Sequence, residues 1–158
     1  IVACDRWDLD DRDSALAALD ARWRAGEGSE HARAARFLAE YRRSLEGRDW
    51  DGMEAILAPD LTSESHRLVS WGILPGPVGI VSTLRAQMEL APDTHARFHH
   101  VRTCERGLLL DYTWQGTRDG GHFEMWFLAV VELDGSGLAC RIDVWEGEQL
   151  APALVRFQ

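Results

Sequence analysis

Apolar positions along the chain change their spacing once, near Thr94: before it they recur at helical intervals, after it they alternate or run together as in strands. Leu16, Leu19 and Trp23 fall at i, i+3 and i+7, which predicts a helix over residues 11–23 with Asp11 or Asp13 as its cap. Gly26-Glu27-Gly28 breaks it. Ala34, Phe37, Leu38, Tyr41 and Leu45 give a second helix, over 29–45, its inner face, and Gly47 closes it. Asp49 caps a short third helix over 50–57, which leaves through Ala58-Pro59-Asp60. Residues 61–68 then alternate loosely as a short strand would, and residues 71–77 read as a loop stiffened by Pro75 and Pro77. Val81, Leu84 and Met88 mark a fourth helix over 78–90, stopped by Pro92.

From there the pattern predicts four strands, over 95–105, 108–117, 123–133 and 138–145. Arg106-Gly107 makes a very tight first joint, Arg118-Asp119-Gly120-Gly121 the second, and Asp134-Gly135-Ser136-Gly137 the third, with Gly supplying positive φ and Asp and Ser bonding their own backbone. A lone hairpin is not stable, so the helices upstream are needed to cover one face of this antiparallel meander. Helices first and strands after is the order of an α+β fold.

Composition narrows the partners. A chain of 158 residues suits one domain with a real core, and no apolar run approaches the ~20 residues of a membrane crossing. The net charge of −9 argues against nucleic acid or an anionic membrane as partner. There is no Lys and no Asn, so a Schiff base and an Asn oxyanion donor are excluded. Cys4, Cys104 and Cys140 are sparse and widely spaced, as expected of free thiols in a reducing, cytoplasmic setting rather than of a disulfide frame or zinc site.

The start of the chain echoes its end. Asp5-Arg6-Trp7-Asp8-Leu9-Asp10 and Ala15-Leu16-Ala17-Ala18-Leu19 recur 138 residues later, without a gap, as Asp143-Val144-Trp145-Glu146-Gly147-Glu148 and Ala153-Leu154-Val155-Arg156-Phe157. Residues 1–28 are therefore expected to be the tail of a preceding repeat or a helical extension, and residues 29–158 the domain proper, inside a larger multi-domain protein.

The stretch from Tyr41 through Leu57-Ala58-Pro59-Asp60-Leu61-Thr62-Ser63-Glu64-Ser65-His66, together with Val131-Glu132-Leu133-Asp134-Gly135 through Val144-Trp145, resembles the NTF2-like superfamily in its SnoaL-like and ketosteroid-isomerase-like branch. The resemblance implies a cystatin-like cone in which a curved sheet wraps a long helix around an apolar pocket, open at one end, that takes an apolar small molecule. It places the isomerase tyrosine at Tyr41, the base at Ser65 and the protonated acid at Ala129, so two of the three chemical groups are missing. It also points Met125, Phe127, Ala129 and Val131 into the pocket, with Ile142 and Val144 beside them, and the opposite set, Glu124 and Trp126, onto the convex face. An aromatic patch there, shared with Tyr112 and Trp114, would make a homodimer through the sheet face.

The remaining candidates are Tyr41, Glu64, Ser65, His66, Arg67 and Trp71. Glu64 and His66 face one way on their strand, Ser65 and Arg67 the other. His66 reads either as a base or gripping donor at the pocket mouth, paired with Tyr41, or as part of a solvated or structural strand face. His95 and His99 lie about 13 Å apart along a strand, too far to share an ion. Arg141 and Asp143 share a face; an Arg-x-Asp pair has a weak likeness to the limonene-epoxide-hydrolase-like branch, and a structural ion pair is the preferred reading. No metal and no cofactor are expected. The function that follows is a small-molecule-binding module for sensing or assembly, the alternatives being a structural dimerisation module and an isomerase, cyclase or epoxide-hydrolase-like enzyme acting on a polyketide- or steroid-like substrate.

Overall fold

The computed structural model describes residue 8 and residues 11–158. Helix α1 (Arg12–Ala25) and the single turn α2 (Glu27–Glu30) lead into α3 (Ala32–Gly47), which ends where Arg48 takes left-handed backbone, and α4 (Trp50–Ala55) follows at once. Asp49 caps α4 by accepting from the Gly52 N–H at 2.9 Å, as its sequence position predicts. Strand β1 (Leu57–Ser65) is followed by the short edge strand β2 (Ile73–Pro75) and helix α5 (Gly76–Leu90). The meander is β3 (His95–Cys104), β4 (Gly107–Arg118), β5 (Gly121–Leu133) and β6 (Ala139–Glu146), and α6 (Leu150–Phe157) closes the chain. Among the described residues, no helix is long and apolar enough to cross a membrane.

The six strands form one sheet in the order β2-β1-β6-β5-β4-β3. It is mixed rather than wholly antiparallel, because β1 runs parallel to β6 while every other pair is antiparallel. Two boundaries differ from the sequence reading. β1 begins at Leu57 instead of 61, and Pro59 is tolerated there because the β1–β6 register breaks between Leu57 and Thr62, so a missing N–H interrupts no ladder. The proline loop contains β2, three residues held to Thr62, Ser63 and Glu64. Of the first copy of the internal echo, residues 5–7, 9 and 10 lie outside the described residues.

Both faces of the sheet are covered, by different things. On the concave face Phe37, Leu38 and Leu45 of α3, Met53 of α4 and Val81 and Met88 of α5 pack with Leu108, Leu110, Tyr112, Trp114, Phe127, Ala129 and Val131. On the convex face α6 lays Ala153, Leu154 and Phe157 over Leu109, Leu128, Val130 and Trp145. The expected outer aromatic patch does not form. Directly opposite residues in an antiparallel pair share a face, and Tyr112 lies opposite Phe127 and Trp114 opposite Met125, so both turn inward and are 8% and 3% exposed. Trp126 alone of these aromatics stays outside, bonded through its indole N–H to Asp111 at 2.7 Å.

The hairpins are pinned from within. Asp119 and Gly120 both have positive φ, the requirement of a tight two-residue turn with the right twist. The Asp134 carboxylate accepts from the Ser136 N–H, the Ser136 hydroxyl and the Leu138 N–H. Arg33 of α3 reaches the carbonyls of Glu105 at 3.2 Å and Asp134 at 3.3 Å, so one guanidinium ties the helix to two turns. Gly107 has no room for a side chain, since a Cβ would run into the Val131 carbonyl on the neighbouring strand. Gly107→Ala should therefore cost about 2–4 kcal/mol in urea unfolding, against less than about 0.5 kcal/mol for Gly135→Ala, whose Cβ would meet open space.

Candidate functional site

Alternation along β4, β5 and β6 puts Leu110, Tyr112, Trp114, Phe127, Ala129, Val131, Ile142 and Val144 on one wall of a hollow between the sheet and the helices. Phe37 and Tyr41 of α3, Ile80, Thr83, Leu84 and Gln87 of α5, Met53, Leu57 and Ser63 complete it, and Trp71 and Leu74 close the end beside β2. The space measures about 80 Å³. Tyr41, Trp71, Phe127, Ala129, Ile142 and Val144 thus line it together. Met125 lines a separate outer cleft of about 430 Å³, with Leu90, Thr94, Arg118 and Phe123.

An aromatic row crosses the floor. Phe37 stacks on Tyr41 at 6.0 Å, Tyr41 meets Phe98 edge-on at 6.4 Å, Phe98 stacks on Tyr112 at 5.6 Å and Tyr112 on Phe127 at 5.5 Å. Arg67 ends the row, its guanidinium 4.4 Å above the Phe127 ring and its Nε 3.1 Å from Glu146. Tyr41 and Tyr112 are the only ionisable groups among the described lining residues. Burial pushes the Tyr41 phenol up to about 12 and the Tyr112 phenol well above its ordinary value, the latter helped by Tyr41 and opposed by Arg67. Both are neutral hydrogen-bond donors in an apolar cage.

His66 and Tyr41 are not brought together. His66 lies on the convex face, stacked on Trp145 at 4.7 Å with its Nε2 3.0 Å from Asp143 Oδ1 and its Nδ1 3.9 Å from Glu64. Ser65 follows Ser63 on the inward face, with its hydroxyl buried and unpartnered among the described residues rather than on the pocket wall.

The charges collect on the convex face around Asp143, which is 1% exposed. Its Oδ1 accepts from His66 Nε2 and from Arg141 Nη2 at 3.0 Å, and its Oδ2 from Arg141 Nε at 2.7 Å and Arg156 Nε at 2.9 Å. Arg141 also bonds Glu64 at 2.9 Å and Arg156 bonds Glu132 at 2.9 Å. Burial alone would raise the Asp143 carboxyl, yet the bonds from Arg141, His66 and Arg156 outweigh it and hold it at about 2. Ligand atoms of Glu64, His66 and Asp143 come within 4.8 Å of one another, the spacing of a metal site. The donor set does not fit one, because the Asp143 oxygens are already filled and two guanidinium cations stand where a metal ion would have to.

Among the thiols, Cys104 and Cys140 are free and half-buried. Cys140 donates to the Glu132 carbonyl at 3.5 Å, and burial first, then Glu132, pushes its thiol up, away from thiolate reactivity. The histidines of β3 make local bonds, His95 with Gln115 at 2.8 Å and His99 with Thr113 at 2.6 Å.

Sequence reasoning missed Phe37, Gln87, Tyr112, Trp114 and the α5 wall. The signal for two of them was present: counting back from the Asp119-Gly120 turn sets Tyr112 opposite Phe127 and Trp114 opposite Met125. The α5 residues depend on how the helix is rotated over the sheet, which no local pattern carries.

The fold is that of the NTF2-like superfamily, a curved open sheet closed over an apolar pocket by helices. The model of the SnoaL-like domain matches residues 34–142, and the chain belongs to that family. None of the curated proteins matches it. Solved structures share the architecture. An LEH-like epoxide hydrolase of Mycobacterium tuberculosis is 20% identical with a TM-score of 0.61, over 80% of this chain and 92% of its own. Another protein of that organism, solved in complex with estradiol-17beta-hemisuccinate, is 13% identical with a TM-score of 0.60, over 71% and 92%. A protein of Jannaschia described as a SnoaL-like polyketide cyclase is 12% identical with a TM-score of 0.63, over 80% and 92%.

These electrostatics fix the response to pH and to the loss of Asp143. The Asp143 carboxyl titrates near 3.8 when unfolded and lower when folded, so its stabilisation is complete above about pH 4 and is lost as pH falls toward 2; urea unfolding should register about 2 kcal/mol of it over that window. Asp143→Ala should cost about 1–3 kcal/mol at pH 7, because it removes the buried acceptor shared by His66, Arg141 and Arg156 while Arg141 keeps its bond to Glu64 and Arg156 its bond to Glu132. In the folded protein, Tyr41 and Tyr112, the chain's 2 tyrosines, should show little phenolate absorbance at pH 10.5. Because their folded values are raised, stability should fall as pH climbs from about 10 toward 12.

Proposed function

We propose that this domain binds an apolar small molecule in the pocket between α3, α5 and the sheet, and that binding rather than acid–base turnover is its role. The observation that supports it best is the wall itself. Where the isomerase members carry an acid stands Ala129, 4% exposed within the lining, and the position of their base is Ser65. Two neutral phenols can hold an oxygen atom, but neither abstracts a proton from carbon at neutral pH. The carboxylates that could do so, Glu64 and Asp143, are drawn to the other face of the sheet and bonded to arginine there, and the histidine, His66, is bonded to Asp143.

The enzyme reading draws on relatives described as epoxide hydrolases and polyketide cyclases. For this chain it would need Arg141, Asp143 and Glu64, and a substrate in the pocket is separated from them by the sheet. Pairing of two copies through the convex face is likewise left little apolar surface, since α6 occupies it and Trp126 remains as a 44% exposed ring.

Membership of a larger protein rests on the internal echo. The residues at its later end that match, Asp143, Trp145, Ala153, Leu154 and Phe157, are those that pack β6 and α6 together. A segment repeating that set is suited to be the end of another such domain.

The neutral dye N-phenyl-1-naphthylamine tests the binding reading. It should bind one to one with a rise in fluorescence. Ala129→Phe should weaken it about tenfold by filling the pocket, while His66→Ala and Trp126→Ala on the convex face should leave it within about twofold. Turnover of an epoxide or polyketide-like substrate that disappears in His66→Ala would sink the reading.

A further inference from the structure

The inner pocket and the outer cleft share two lining residues, Gln87 of α5 and Trp114 of β4. Neither space alone encloses an elongated ligand. The inner one, at about 80 Å³, is small against the ~300–1,000 Å³ usual for small-molecule sites, and the outer one, at about 430 Å³, is open and rimmed by exposed charge. Together they fall in that range.

The shared wall carries a second observation. Trp114 is 3% exposed, and its indole N–H is buried without a partner among the described residues. A donor in that state forfeits its hydration and gains nothing in return, and an acceptor atom brought by a ligand would satisfy it. Trp114 is fixed, because its ring is packed in the concave core. Gln87 is half-buried on a long unbranched stem, so it is the side chain that can turn to join the two chambers.

Charge narrows what could lie across the junction. The described ionisable groups of the inner wall are neutral phenols, and in the outer cleft Arg118 faces Asp119 at 3.6 Å, leaving His122 exposed at the rim. An anion in the inner chamber would lose its hydration without a cation to replace it.

Building on the binding reading above, we propose that the two chambers are halves of one site joined at Gln87 and Trp114. It takes an elongated, neutral, mostly apolar molecule whose hydrogen-bond-accepting oxygen is held at the junction by the Trp114 indole N–H. The apolar body occupies the inner chamber and the remainder extends past Gln87 into the outer cleft.

The test uses matched trios of hydrocarbon, ketone and carboxylate on one-ring, two-ring and four-ring frameworks, titrated into the ¹⁵N-labelled protein. The Trp114 indole signal is identified by its loss in Trp114→Phe. At least one of the larger ketones should bind tenfold or more tighter than its hydrocarbon and move that signal downfield in the wild-type protein. Trp114→Phe, its melting temperature checked, should erase the ketone's advantage. Gly121→Trp, which places a ring in the outer cleft, should weaken the four-ring ketone tenfold and leave the one-ring ketone unchanged. Hydrocarbons binding as tightly as ketones with the Trp114 signal unmoved would overturn the oxygen contact while leaving the apolar-ligand reading intact. Carboxylates binding tightest would overturn the neutrality of the ligand. Equal weakening of short and long ketones by Gly121→Trp would overturn the joined site, and no binding by any trio would overturn this inference and the binding reading together.

Discussion

The carboxylate of Asp143 is the point to which the outer half of this fold is tied. It sits on β6, is out of contact with water, and receives bonds from β6 itself, from β1's continuation at His66 and from α6 at Arg156. Breaking such a cluster by removing one member strands the others, which is why a buried charge set can hold elements in place even when an apolar replacement of the whole set would be as stable. Here it seats a helix of only eight residues that would be marginal by itself in water.

That seat divides the sheet into two chemistries. Each strand of the hairpin shows alternate residues to each side, so Arg141, Asp143 and Trp145 are committed to the convex face by the same pleat that commits Ile142 and Val144 to the concave one. The polar groups are used up in docking a helix. The pocket is left with the phenols of Tyr41 and Tyr112, the indoles of Trp71 and Trp114, the uncharged polar side chains of Ser63, Thr83 and Gln87 and otherwise apolar side chains, a lining suited to recognising shape and one or two oxygen atoms.

Much of this was legible from residue pattern, and the misses share a cause. The helical faces of α3 and α5, the Asp49 cap and the three hairpin turns are local features, and local spacing found them. The inward placement of Ala129, Ile142 and Val144 came from alternation anchored on a family likeness. What escaped was set at long range. Whether His66 faces the pocket depends on the parallel register of β1 against β6, and Pro59 hid where β1 begins. Tyr112 and Trp114 were assigned to the wrong face because strand β4 was read by itself and not against its partner.

The parallel pairing of β1 with β6 also bears on how the chain assembles as it is made. Strands β3 to β6 can zip in succession through short turns, but β1 waits for a partner about 80 residues downstream, a closure slower than any hairpin. During synthesis the edge of β1 and the apolar flank of α5 stand uncovered until β6 emerges, and the charged seat for α6 is completed only once Arg156 follows it. A chain cut before β6 would thus keep the β3–β4 and β4–β5 hairpins but lose the Ile142 and Val144 wall and the partner of β1, making the arrival of β6 the step at which the site itself comes into being.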